Sequence, residues 1–205
     1  MFLTIGLTGA LLLGGSNSWS RSDAPRMVMR PPVARLGQSD LVAVRGLDRW
    51  SSLEIKLEGS TTAIGIISPW FSLHQHDGAW SGSIPPLEMR GVYPVDIRER
   101  PGARILRSTQ WLYRVLAPGT LSRPAFATPE QVAADWVRAH GTLVAIKRWP
   151  LPAHDHRLPA LHQLLVVSYS PPGKTAPTDR LGIFITTVRT TFGGPWRLLE
   201  ATVSP

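Results

Sequence analysis

Two stretches of the chain gather side chains that can ligate a metal. S-L-H-Q-H-D-G-A-W-S-G carries His74, His76 and Asp77, and P-A-H-D-H-R-L-P-A-L-H carries His154, Asp155, His156 and His162. Imidazoles and carboxylates are the donors of zinc sites, which need three or four of them converging on one point. In the first stretch His74 and His76 point the same way if the segment is extended, but no third ligand stands near them. Asp77-Gly78 is a favoured tight-turn pair, because glycine accepts positive φ at no steric cost. That favours a polar loop leading into a strand at Ala79. In the second stretch the histidines fall in a Pro-rich connection, whereas metal-site histidines usually stand on rigid elements that fix their rings. H-E-x-x-H is absent from the chain, and H-Q-H-D-G fails H-x-H-x-D-H because its aspartate comes one residue early and no histidine follows. His154 and His156 are therefore the first metal candidates and His74 and His76 the second, each against a polar-loop reading.

Other chemistry is thinly represented. Neither G-x-S-x-G nor G-x-x-x-x-G-K-S/T occurs. The chain has no cysteine, which excludes disulfides, thiolate metal sites and thiol catalysis. The acidic residues are few, and no pair is placed for acid–base work. No catalytic residue and no cofactor is assigned on these grounds.

The net charge is +8, carried almost wholly by arginine, since the lysines are only Lys56, Lys147 and Lys174. Such a balance attracts polyanions. The arginines are spread along the chain, without a basic run or an aromatic–basic RNA-binding motif, which argues against nucleic acid as the partner. At the N-terminus F-L-T-I-G-L-T-G-A-L-L-L-G-G is an apolar run of about 14 residues. That length suits the hydrophobic region of a signal peptide and is short for a membrane span. Small residues around Ser16–Ser18 or Ser22–Ala24 offer a cleavage site, although no Lys or Arg precedes the run. Residues 1–24 are expected to be a signal peptide or anchor, making the protein exported or cell-surface; membrane contact would come only through this segment.

These side chains must be positioned by short strands. Hydrophobic residues make up 43% of the chain, enough for a core, and 18 glycines with 19 prolines favour many turns over long helices. S-R-S-D-A-P-R-M-V-M-R-P-P reads as a linker, with 25–32 as its part of the mature chain. Period-two patterns follow at 41–46, 53–59, 62–67, 70–73, 79–84, 91–98 and 105–116. About seven short strands separated by turns are the mark of a β-sandwich. The patterns D-G-x-W-x-G-x-I-P (77–85) and G-x-Y-x-V-x-I-R (91–98) resemble bacterial immunoglobulin-like domains, over 33–117. Pro94 departs from that pattern and predicts an edge or a bulge.

Residues 118–127 read as a second linker, and the pattern then changes. T-P-E-Q-V-A-A-D-W-V-R-A-H-G predicts a helix, with Thr128 as N-cap, Pro129 at the first position, Gln131 closing a capping box and Gly141 as the stop. Val132, Ala133, Trp136 and Val137 form its apolar stripe, with Asp135 off it and in solvent. Four strand candidates follow at 142–149, 161–170, 181–192 and 196–203, the last two joined by Gly193-Gly194-Pro195. One helix against a curved antiparallel sheet, closed by F-G-G-P-W-R-L-L-E, resembles the cystatin-like cone shared with nuclear-transport-factor-like proteins, over 125–205, with the domain itself set at 128–205. The cystatin inhibitory Q-x-V-x-G is absent, so protease inhibition does not carry over.

The fold class expected is mostly β: an immunoglobulin-like sandwich at 33–117 followed by a small α+β domain. The function expected is non-catalytic binding at a bacterial envelope, with a protein or an anionic wall polymer as partner. The alternative is a small-ligand or metal-dependent cone using His154-Asp155-His156.

Overall fold

The computed structural model describes residues 25–58, 69–150 and 157–203. The apolar segment 1–24, the strand expected at 62–67 and the His154–His156 cluster lie outside the described residues. The fold class is mostly β, with a large antiparallel sheet preceding a separate four-stranded sheet and its helix.

The first sheet contains β1 (Arg26–Arg30), β2 (Asp40–Arg45), β3 (Leu53–Leu57), β4 (Phe71–His76), β5 (Ala79–Ile84), β6 (Gly91–Arg98) and β7 (Leu106–Val115), in the order β1-β2-β5-β4-β3-β6-β7. β4 belongs to two neighbours in turn. Phe71, Ser72 and Leu73 pair with β3, whereas His74, Gln75 and His76 pair with β5. This handover folds the sheet over a core that includes Val44, Leu53, Ile55, Trp80, Ile97 and Tyr113. The seam is tight where Gly82 meets β4: a Cβ there would stand 2.7 Å from a Leu73 methyl, which a side chain at this position would have to displace. The Trp80 indole N–H donates to the Leu47 carbonyl at 3.0 Å, which satisfies the one polar atom of a buried ring. The Tyr93 hydroxyl donates to the Met89 carbonyl four residues back, at 2.7 Å. Burial pushes the Tyr93 pKa up to about 12.

Several local expectations are revised here. The stretch 25–32 is not a free linker, because Arg26–Arg30 pair antiparallel with β2. Met27 and Met29 pack on the core, and the intervening residues are exposed. Five alternating residues beside Pro31-Pro32 are too short a pattern to outweigh the punctuation around them. His74-Gln75-His76 is strand rather than loop, and Asp77-Gly78 alone makes the turn, both with positive φ (49° and 70°), as two-residue hairpins favour. Pro94 stands at a bulge, with a register shift before Asp96, but β6 is interior, between β3 and β7. Proline cannot donate to a ladder, and the bulge accommodates that loss.

The second sheet is an antiparallel meander of β8 (Thr142–Trp149), β9 (His162–Ser170), β10 (Leu181–Arg189) and β11 (Trp196–Val203), ordered β11-β10-β9-β8. The helix α1 (Pro129–Arg138) lies across one face. Its start is the expected capping box: the Gln131 N–H donates to Thr128 Oγ1, and the Gln131 side chain accepts from the Thr128 N–H. Ala133 and Val137 are buried on Leu165, Val167, Ile183 and Ile185. Trp136 is half-buried at the rim, edge-on to Tyr169 and stacked on His140. Asp135 is paired with Arg138 at 2.9 Å, off the stripe.

The stretch 118–127, read as a linker, joins the two units but is bonded along its length. It contains a 3-10 turn at Thr120–Ser122, and Phe126 exchanges backbone hydrogen bonds with Trp196 at 2.9 and 2.8 Å. The Arg123 guanidinium donates to the Leu198 and Leu199 carbonyls, and Arg197 donates to the Arg123 carbonyl.

Candidate functional site

The expected metal ligands come first. His74 and His76 are exposed on β4, and among the described residues the acidic partner in reach is Asp77, 3.1 Å from His76, itself exposed in the turn. Exposed in this way, the two rings are not gathered with a third donor among the described residues. Among the described residues no three His, Asp or Glu side chains gather as a metal site. His162, the last histidine of the second stretch, is spoken for. Its ring is buried, and the Val92 N–H of β6 donates to its Nε2 at 2.9 Å. Burial lowers its pKa to about 4, against a smaller upward pull from the Val92 backbone, so the imidazole is neutral at pH 7.

His162 is one of several ties between the two units. Arg157 reaches Asp96 on β6 at 2.7 Å, and Arg107 reaches the same carboxylate at 3.1 Å. Asp96 is fully buried, and both guanidinium groups pair with it there. Arg114 Nε donates to the Thr190 carbonyl at 3.0 Å, and burial lowers the Arg114 pKa. Between these polar ties Val92, Leu112 and Leu116 of the first unit pack on Leu161, Val188 and Leu199 of the second. None of these contacts could be found from spacing, since Val92 and His162 are 70 residues apart. A cleft of about 320 Å³ opens beside His162, with Glu88, Arg90 and Glu200 on its walls.

The surface that stands out is on the second sheet. Residues of β9 and β10 that face α1 are buried, while the alternate residues face away from it. On that uncovered face the register aligns Lys147, Val166 and Phe184 in one row and Trp149, Leu164 and Thr186 in the next. Trp149 is 50% exposed and lies edge-on to Phe184, with ring centroids 6.5 Å apart. Leu164, Val166 and Phe184 are half-buried. This is an aromatic–aliphatic patch with a cation inside it, and no ion pair among the described residues engages Lys147. Arg148, on the helix side, is already held by Glu130 at 2.5 Å, which lowers the Glu130 pKa. A strand at 142–149 was legible in the sequence. Which of its faces stays uncovered was not, because that depends on where α1 lands.

No family model matches the chain, and no curated protein matches it. Among solved structures it is similar to trypsin-activated alpha-2-macroglobulin from Escherichia coli, with 10% identity and a TM-score of 0.30. That likeness covers 89% of this chain and 16% of the other, so the chain spans about a sixth of its length.

Proposed function

We propose that the chain is a non-catalytic binding protein of a bacterial envelope, exported by its N-terminal apolar segment and recognising a protein partner with its second unit. One observation carries this reading: the uncovered face around Trp149, Phe184 and Lys147, on a sheet whose other face is packed by α1. An exposed tryptophan with apolar neighbours, beside a lysine that no ion pair among the described residues engages, is what protein-binding surfaces are built from. The many ties between the units support it, because a prearranged surface loses less entropy on binding. The immunoglobulin-like reading of the first unit is supported by the Tyr93 hydroxyl bonding back to Met89, a corner device of such sandwiches. The apolar run at 2–15 supports export.

A second reading is an anionic wall polymer as the partner, favoured by the net charge of +8. Immobilised full-length protein, incubated with solubilised envelope extract at two salt concentrations, separates the two. A protein enriched at both salts supports the first reading. Bulk anionic polymer lost at high salt supports the second, since exposed charge–charge attraction is screened. No enrichment at either salt overturns both.

A further inference from the structure

A strand edge carries backbone N–H and C=O groups at fixed spacing, and what covers each edge determines what can add to it. Two edges of the first sheet are blunted. β1 is short, has Arg26 and Arg30 at its outer positions and runs into Pro31-Pro32. β7 is met by Ala34, which bridges Val115 in parallel and bonds to Arg114 and Leu116. In the second sheet β11 is also occupied: Phe126 bonds to Trp196, and Arg123 takes the Leu198 and Leu199 carbonyls. β8 differs. Among the described residues its backbone pairs with β9 alone. A bulge between Leu143 and Ala145 spoils the first part of the edge, but Ala145–Trp149 keep an unbroken register from Ser168 to Leu164. At about 3.4 Å per residue this leaves a regular edge of roughly 17 Å.

We infer that the Ala145–Trp149 edge of β8 accepts an extended acidic segment of a protein partner as a fifth antiparallel strand of the sheet. The inference deepens the binding reading above and rests on it for the existence of a partner. Alternating donors and acceptors at strand spacing are matched by another extended peptide backbone and not by a wall polymer. Side chains then set the chemistry. Ala145, Lys147 and Trp149 alternate on the uncovered face, since they pair with Ser168, Val166 and Leu164. Opposite Lys147 a carboxylate completes a cross-strand ion pair, and a branched or aromatic residue two positions away packs on Trp149. Arg148 makes no such demand, because Glu130 already holds it.

The test uses the full-length protein and the capped peptide Thr-Val-Thr-Asp-Thr-Val-Thr, followed by amide hydrogen exchange and by affinity. Saturating peptide is expected to slow exchange within Ala145–Trp149. Methylating alternate backbone nitrogens of the peptide should abolish binding, because side-chain contacts survive that change and strand pairing does not. Lys147→Glu should weaken binding about tenfold and shift preference to the peptide with Lys in place of Asp. Its side chain is exposed, so an unchanged Tm is the folding control. The inference is overturned if no amide of Ala145–Trp149 slows at millimolar peptide, or if the N-methylated peptide binds as well as the parent. An envelope partner that ignores both the peptide and Lys147→Glu overturns the edge site and leaves the binding reading standing. An extract that yields no partner, while the peptide still protects β8, overturns the binding reading and not the edge.

Discussion

Single residues in this chain are constrained by what they approach. A Cβ added to Gly91 would stand 3.0 Å from His162 Cε1 and 3.2 Å from Tyr93 Cζ. Both are atoms of buried rings, which cannot swing aside. Gly91→Ala is expected to cost about 1–3 kcal/mol, the usual range for overpacking, read as a lower urea midpoint with unchanged m. Asp40 poses a different constraint. It is buried, and neither carboxylate oxygen has a hydrogen-bond partner among the described residues. Burial raises its pKa, and the nearby Tyr113 hydroxyl, which does not reach hydrogen-bond geometry, opposes this only in part. A carboxyl whose pKa is raised by folding stabilises the fold below its unfolded pKa and loses that contribution as pH rises through the folded value. Asp40→Asn, which removes the charge and keeps the shape, should therefore raise Tm at pH 7, with a gain that shrinks on acidification. A gain independent of pH would mean that Asp40 is not the titrating group.

At the scale of elements, local chemistry and local structure agree well in the second unit. Thr128, Pro129 and Gln131 dictate where α1 starts through hydrogen bonds that span three residues. Thr128→Ala should cost about 1 kcal/mol, measured by thermal unfolding, because it leaves a helix N–H without its side-chain acceptor. The four strands after α1 form where strand candidates were read, and Asp77-Gly78 sets its hairpin by the positive φ that both residues tolerate. Elements were legible where the determining contacts lie within a few residues. β1 was not, since its pairing with β2 spans up to 19 positions of register, Arg26 to Arg45, and its own pattern is five residues long. The passage of β4 from β3 to β5 was also hidden, because nothing between Leu73 and His74 marks a change of neighbour. The histidine pair drew attention as chemistry. In the fold His74 and His76 are exposed on β4, while His162, which drew less attention, is buried against Val92.

At the scale of the molecule, the two units are joined by polar groups that only long-range contact could reveal. Asp96→Ala would remove the buried carboxylate that both Arg157 and Arg107 reach; the loss of those charge-assisted hydrogen bonds should cost about 1–3 kcal/mol, read as a lower urea midpoint. His162 gives the interface a pH dependence of definite sign. Its pKa in the fold is about 4, against 6.5 for the ordinary imidazole. Below pH 6.5 the unfolded chain takes up a proton that the buried ring refuses. The contribution of the neutral ring is thus complete above pH 6.5, declines as pH falls, and is lost by about pH 4, a swing of about 3 kcal/mol. Glu88, Arg90 and Glu200 line the cleft beside the ring, so acid titration of the whole protein mixes several groups. A comparison isolates His162. In His162→Gln the amide oxygen can still accept from the Val92 N–H, but the side chain no longer titrates. The variant should be less stable at pH 7, and the difference from wild type should narrow through pH 5.5 and 4.5 in urea unfolding followed by tryptophan fluorescence. A difference that stays constant with pH would show that His162 does not titrate between the folded and unfolded states. A second, separate unfolding transition in wild type would show that the contacts around Val92 and Leu161 do not make the two units one cooperative body.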